Sequence, residues 1–438
     1  MTTPAASVAL ELDRRKFIRG LILIGVLGLA LRCVVVALAS RALPFGDGFW
    51  YFIEARIIAE GRGYLAPGQF VFKGLNLATA EHPPLFPSLL AVTTFLTSGS
   101  VLALQLTTAF LSALGVIVMG LLGRAVAGAR VGLVTALLAA VAPNIWGYNE
   151  LLLSESLLVA TVGLFLLSVY RYWDRPTMLR AVVMGAALAL ATYTRTEVVF
   201  LGAFVVVPVV FMRRDLEGRA PRLRALTAAG LVTLVLMAPW TIRNLTTFDD
   251  PVLFSNNQDS VVAGANCLST YYGAGLGSWD IFCNTQHLPQ HRDQSVVFSI
   301  SRRRGISFAE NHASRLPVVV GARIGRTWEV FRPFQGAGHD GRSSAVWIGS
   351  TVTFWLLVIT GAFGAWRLRR ERRLVWPLVA MVPFVTLMAA FTYGLVRLRM
   401  PLDVALLVLA AVAIERWFTQ AVTKRANRRS QSAAPSPA

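Results

Sequence analysis

Ten apolar runs divide this 438-residue chain, at approximately 20–40, 101–122, 131–148, 151–170, 179–194, 198–212, 224–241, 346–366, 374–394 and 401–417. The first is almost wholly apolar and long enough to cross a bilayer, at roughly 20 residues per spanning helix. Lipid offers the backbone no hydrogen-bond partner, so runs of this kind fold as helices. The composition agrees. With 55% hydrophobic and 15% charged residues and a mean hydropathy of +0.58, the chain lacks the polar coat of a soluble domain. The expected fold is an all-α polytopic membrane protein of about ten transmembrane helices.

The formal charge of +19 sits mostly in short basic clusters between the apolar runs. That is the positive-inside pattern rather than a nucleic-acid footprint. Arg14, Arg15, Lys16 and Arg19 precede the first run, which exceeds the usual h-region of roughly 7–15 residues, so an uncleaved anchor is expected. The segment from Pro83 to Leu96 is short, begins with Pro83-Pro84 and contains Pro87. Left as a juxtamembrane helix, it places Arg124, Arg130, Arg171, Arg175, Arg180, the arginines at 213–224 and those at 367–373 on the inside. Both termini are then inside, and two large outer loops span 41–100 and 242–345. On this reading residues 1–19 are a cytoplasmic tail, 20–418 the transmembrane core and 419–438 a second tail, disordered after Arg429. Juxtamembrane helices are expected in the first loop and mixed structure in the second. There, residues 306–332 read as an amphipathic surface helix interrupted by Pro317.

Residues that break the topology rules carry the functional signal. The first outer loop opens with FGDGFWYFIEARIIAEGRGY, which holds Asp47, Glu54 and Glu60. Asp47 also suits the first turn of a helix, so a capping role and a chemical one are compatible. Arg195, Arg243, Arg397 and Arg399 lie at outer ends of spans, where positive charge should be scarce. Converging guanidinium groups suit a phosphate, because their planar fork matches its oxygens. Glu155 and Asp403 are acidic outliers at the same level, costly in lipid unless paired; an Asp403–Arg pair is expected. In Glu81-His82-Pro83-Pro84 the prolines set a rigid turn before a short helix. Glu81 or His82 suits a divalent metal, with His287, His291 and His312 in the same compartment, yet one Glu and one His are a weak metal signal alone. Cys267 and Cys283 are separated by 15 residues in one hydrophilic loop. In an oxidising compartment a disulfide there would contribute roughly 3 kcal/mol; otherwise they are two unpaired thiols.

Taken in order, these motifs resemble the GT-C superfamily of polytopic glycosyltransferases, which includes protein O-mannosyltransferases and the lipid A aminoarabinose transferase. The resemblance spans roughly residues 20–415. It rests on Gly46-Asp47, Tyr51 and Gly61-Arg62-Gly63-Tyr64, then Glu81-His82-Pro83-Pro84-Leu85, Ser154-Glu155 and Thr194-Arg195. Pro239-Trp240-Thr241-Ile242-Arg243-Asn244 and Arg397-Leu398-Arg399-Met400-Pro401 complete it. It implies a polyprenyl-phosphate sugar donor, a glycan, lipid or protein acceptor in the cell envelope, and a site on the outer face of the plasma membrane. Carried over, Asp47 and Glu155 are the catalytic candidates, with Asp47 as base. Glu81, with a metal role in some relatives, and His82, a contact to the donor phosphate, join Tyr51, Tyr64, Arg195, Arg243, Arg397 and Arg399 as the substrate-binding set. Gly48 and Thr196 depart from the pattern, which tells against protein O-mannosylation in particular. The alternative from another class is a transporter or flippase of lipid-linked sugars.

Overall fold

The computed structural model describes residues 14–39, 46–213, 215, 218–285, 293–335 and 341–432. Among them the sole strand-like pairing is an antiparallel bridge between Leu65 and Ala78, so the fold is all-helical. The longer helices begin with α1 (Arg14–Leu38), α2 (Asp47–Ala59), α3 (Leu85–Thr97), α4 (Val101–Ala127), α5 (Ala129–Val141), α6 (Glu155–Asp174) and α7 (Met178–Thr192). They continue with α8 (Ala220–Thr247), α9 (Gln294–Asn311), α10 (Leu316–Thr327), α11 (Ser344–Arg370), α12 (Met381–Phe391) and α13 (Met400–Ser432).

Among the described residues, five helices are long and apolar enough to cross a membrane: α1, α4, α6, α8 and α11. A sixth span forms if α5 is joined to the bent piece Pro143–Leu151. The protein is therefore a polytopic membrane protein, but helix length and composition do not reach the expected ten. The run 179–194 is a helix of 15 residues. The run 198–212 is divided among a 3-10 turn, a π turn and a short α-helix. The run 374–394 holds two short helices, Trp376–Val379 and α12. On α13, Asp403, Glu415 and Arg416 interrupt the apolar sequence.

The third apolar run bends by 61° where α5 ends and Pro143 begins the next piece. Proline has no N–H to give the carbonyl four residues back, which is Ala139. Arg32 of α1 supplies the donors instead, with Nη2 3.1 Å from Ala139 O and Nη1 3.2 Å from Ala140 O. Its Nε donates to Ser112 Oγ at 2.8 Å, and the side chain is fully buried. A cation at a helix C-terminus also complements the helix dipole. The break is thus held from inside the bundle.

Helix α6 and the apolar half of α13 are buried on nearly every side, as befits helices at the centre of a bundle. Around them α4 packs on α5 and α6, α11 on α13, and α7 on α8. Small residues set the closest approaches: a Cβ at Gly185 would run into the Ala229 carbonyl, and one at Gly364 into that of Leu409. The Pro83–Leu96 segment is the 13-residue α3, about 20 Å long at 1.5 Å per residue and short of a roughly 30 Å hydrocarbon core. It packs through Phe86, Leu90 and Ala91 on Phe52, Ala55 and Ile57 of α2.

Two local expectations change. The 306–332 stretch is broken just before Pro317: α9 ends at Asn311 and α10 starts at Leu316, with Pro317 in its first turn, where a missing N–H costs nothing. Arg323 of that helix is buried rather than laid on lipid, donating to Ala265 O at 2.7 Å and Asn266 Oδ1 at 2.9 Å. At the C-terminus, α13 runs through Ser432, three residues into the stretch expected to be disordered. Residues 433–438 lie outside the described ones, as do His287 and His291.

Candidate active site

Four chain segments deliver the site. Gly46, at φ 63°, turns the chain into α2, so Asp47 becomes the first helical residue, where a carboxylate favours the helix dipole. Asp47, Tyr51 and Glu54 then share one face at the i, i+4, i+7 spacing. Glu155 is likewise the first residue of α6, after Leu152 turns the chain at φ 53°. Arg195 follows the end of α7 in extended conformation, and Arg397 lies in the 3-10 turn Val396–Arg399 before α13.

These ends form a ladder of alternating charge. Asp47 Oδ2 is 2.6 Å from Arg397 Nη2, and Arg397 Nε is 3.6 Å from Glu155 Oε1. The same Glu155 oxygen is 2.6 Å from Arg195 Nη1, and Arg195 Nε is 2.6 Å from Glu197 Oε1. The Glu155 side chain is 1% exposed and that of Asp47 44%. Asp47 is therefore the more exposed end of the ladder; Glu197, at the other end, is 27% exposed.

The Glu81-His82 turn closes the site from the other side. The Tyr51 ring lies 4.5 Å from the His82 ring and edge-on to Phe86 at 4.8 Å. Ser255 Oγ donates to Glu81 O at 2.7 Å, and Gln294 Nε2 to Glu81 Oε2 at 3.3 Å. The 242–345 segment thereby laps over the 41–100 segment. Burial alone would raise the Asp47 carboxyl, but Arg397 above all, then His82 and Arg195, outweigh it and hold it at about 2. Burial lifts Glu81 to about 8, with Asp47 adding to the rise and Gln294 opposing it. Burial also lowers the His82 imidazole to about 4, against the pull of Asp47 and helped by Arg195 and Arg397.

The four outlying arginines divide. Arg195 and Arg397 meet across Glu155. Arg243 braces the first loop instead, with Nη1 2.8 Å from Thr79 O and Nη2 3.2 Å from Tyr64 O, over the rings of Trp240, Phe248 and Tyr64. Tyr64 bonds Ser88 Oγ at 2.7 Å in that layer. Arg399 is fully buried between Glu329 at 2.5 Å and Asp403 at 3.5 Å, 3.7 Å from the centre of the Phe354 ring. Glu197 was not singled out from sequence, although it is an acidic residue at the outer end of a span, the same signal as Glu155. Glu54 is 1% exposed with neither carboxyl oxygen hydrogen-bonded, and burial and the neighbouring Glu81 raise its pKa. Cys267 and Cys283 form a disulfide, with Cα atoms 6.2 Å apart.

No three His, Cys, Asp or Glu side chains gather into a metal-ligand group among the described residues. Asp47 is engaged by Arg397, and His312 stacks on Phe308 at 4.0 Å.

A family model described as dolichyl-phosphate-mannose-protein mannosyltransferase matches residues 81–242, a stretch that holds Glu81, His82, Glu155 and Arg195. No curated protein sequence matches the chain. Among solved structures, the oligosaccharyltransferase AglB from Archaeoglobus fulgidus, in complex with an inhibitory peptide and a dolichol-phosphate, aligns with a TM-score of 0.59. It is 14% identical over 96% of this chain and 52% of that one. The same archaeal enzyme with Zn and sulfate gives a TM-score of 0.53 at 16% identity, over 92% of this chain and 49% of that one. ArnT from Cupriavidus metallidurans, bound to undecaprenyl phosphate, is 16% identical over 94% of this chain and 79% of that one, with a TM-score of 0.41. The likeness to the oligosaccharyltransferase shows a shared fold. This chain spans about half that protein's length. Family model and fold both agree with the resemblance to GT-C glycosyltransferases.

Proposed function

We propose that the chain is a membrane glycosyltransferase that moves a sugar from a polyprenyl-phosphate donor to a cell-envelope acceptor on the outer face of the membrane. The observation that supports this reading best is the ladder itself, with a half-exposed carboxylate at its open end backed by two guanidinium groups. Transfer needs a base for the acceptor hydroxyl and fixed cations for the leaving phosphate. The acceptor oxygen bonds to the anomeric carbon as the carbon–oxygen bond to phosphate breaks. The bond pair stays on the phosphate oxygen, and the acceptor proton passes to Asp47. A single displacement of this kind inverts the anomeric centre.

Arg397 and Arg195 serve the phosphate, and Glu155, too buried to meet a substrate, fixes them both. His82 is neutral at pH 7, and its buried Nδ1 has no hydrogen-bond partner, which leaves the ring available to the donor as well. The isoprenoid would lie along apolar surface such as Val92, Phe95 and Leu96 on the outer side of α3, all well exposed. The GT-C arrangement of about ten spans, with both termini inside, belongs to the same proposal. Liposomes holding the purified protein and a panel of labelled polyprenyl-phosphate sugars, with cell-envelope extract as acceptor, test it. Sugar transfer with release of free polyprenyl phosphate is expected; relocation of intact donor across the bilayer would point to a flippase instead.

A further inference from the structure

Both guanidinium groups that face the proposed phosphate position are already engaged by carboxylates. Asp47, Glu155 and Glu197 set three negative charges against the two positive charges of Arg195 and Arg397. A phosphate anion arriving there meets a ladder with one negative charge in excess. Affinity for it requires that one ion pair open.

Burial ranks the candidates: Asp47 at 44% is more exposed than Glu197 at 27% or Glu155 at 1%. Glu155 is 1% exposed, and stripping its partner would leave a buried carboxylate uncompensated, a costly step. Asp47 is 44% exposed, and its carboxylate can be taken up by water. A pair with one partner half-exposed opens at lower cost than one sealed from water on both sides. Arg397 Nε is buried 3.6 Å from Glu155 Oε1, so Glu155 holds that edge of the guanidinium in place while Nη2, now on Asp47, is the edge that can pass to an oxyanion.

We propose that the Arg397–Asp47 ion pair is exchanged during the reaction: the donor phosphate takes over Arg397 and frees Asp47 to face the acceptor hydroxyl. This rests on the polyprenyl-phosphate reading above. The exchange follows the movement of charge in the transfer step. Asp47 goes from carboxylate to neutral acid as it accepts the acceptor proton. The phosphate, keeping the electron pair of the broken bond, gains one negative charge. The better partner for the guanidinium therefore shifts from Asp47 to phosphate as the sugar moves. Until a donor binds, Arg397 holds the base in a weakly basic form, which guards against premature proton uptake.

The test is binding of sugar-free undecaprenyl phosphate to the full-length protein in lipid nanodiscs, for wild type, Asp47→Asn, Arg397→Gln and the double variant. The exchange predicts that Asp47→Asn binds about tenfold more tightly, since Arg397 no longer has to be taken from a carboxylate; tenfold is about 1.4 kcal/mol. Arg397→Gln should bind at least about tenfold more weakly on the same scale, and the double variant should match it. If Asp47→Asn gives no gain, or keeps its gain in the Arg397→Gln background, the exchange is overturned; the second result would mean simple charge repulsion. Should Arg397→Gln fail to fold, Arg397→Lys takes its place, and the Asp47→Asn gain should shrink in that background. Wild-type protein that binds no undecaprenyl phosphate overturns the donor reading, and the exchange with it.

Discussion

At neutral pH Asp47, Glu81 and His82 together carry a single charge. Asp47 is ionised, Glu81 is still protonated and His82 is neutral. Glu81 changes state near physiological pH, with buried Glu54 beside it also raised by burial and by Glu81. Below about 8 it is a neutral acid; above it a second carboxylate stands near Asp47 and the phosphate position. Affinity for a polyprenyl-phosphate donor is therefore predicted to fall as pH rises through 8. In Glu81→Gln that alkaline loss should disappear, which donor titrations at pH 6.5 and 9 would show. Much at this scale was legible in sequence, because a charge at the end of an apolar run is conspicuous. What sequence did not disclose is partnership. Arg397 and Arg399 are two residues apart, yet one reaches Asp47 and the other is sealed between Glu329 and Asp403. A 3-10 turn sends neighbouring side chains to different faces, and nothing local to Arg-Leu-Arg says which face meets a carboxylate.

Among the elements, the joints between helices are polar where the helices themselves are apolar. The Glu329–Arg399–Asp403 group ties the end of α10 to the start of α13, with Thr351 of α11 bonded to Glu329 at 2.7 Å. Removing its cation strands two buried carboxylates, a loss of roughly 3–5 kcal/mol for a broken buried pair. Arg399→Gln is accordingly expected to lower the melting temperature in detergent sharply, while Arg243→Gln, on a half-exposed brace, lowers it less. Equal melting of the two would show that the buried group adds no stability. Helix existence followed from apolar periodicity, but the carbonyls freed at the Pro143 bend, Ala139 O and Ala140 O, are met by Arg32 from another helix. Its position inside an apolar run hid it. The shortness of α7 and the broken 198–212 run had the same origin: composition marks where a chain is apolar, not where its hydrogen-bond ladder changes register.

For the whole molecule, the account needs the ladder, the Glu81 turn and the disulfide loop in one aqueous compartment, and the arginine-rich turn after α11 in the other. Asn311 and Arg370 are both exposed and lie on opposite sides in this topology. A membrane-impermeant maleimide applied to intact cells should label Asn311→Cys, and Arg370→Cys only after permeabilisation. The reverse pattern would turn the site inward and exclude an envelope acceptor. The disulfide was readable as a spacing in sequence, and the paired cysteines now fasten a loop that docks on α10 through Arg323 and Arg326. The central claim is that Asp47 performs the proton transfer, and single-turnover sugar transfer by Asp47→Asn tests it most directly. Loss of a general base predicts a rate lower by roughly 10²–10⁴-fold with donor binding no weaker than in wild type; an unchanged rate would contradict the account.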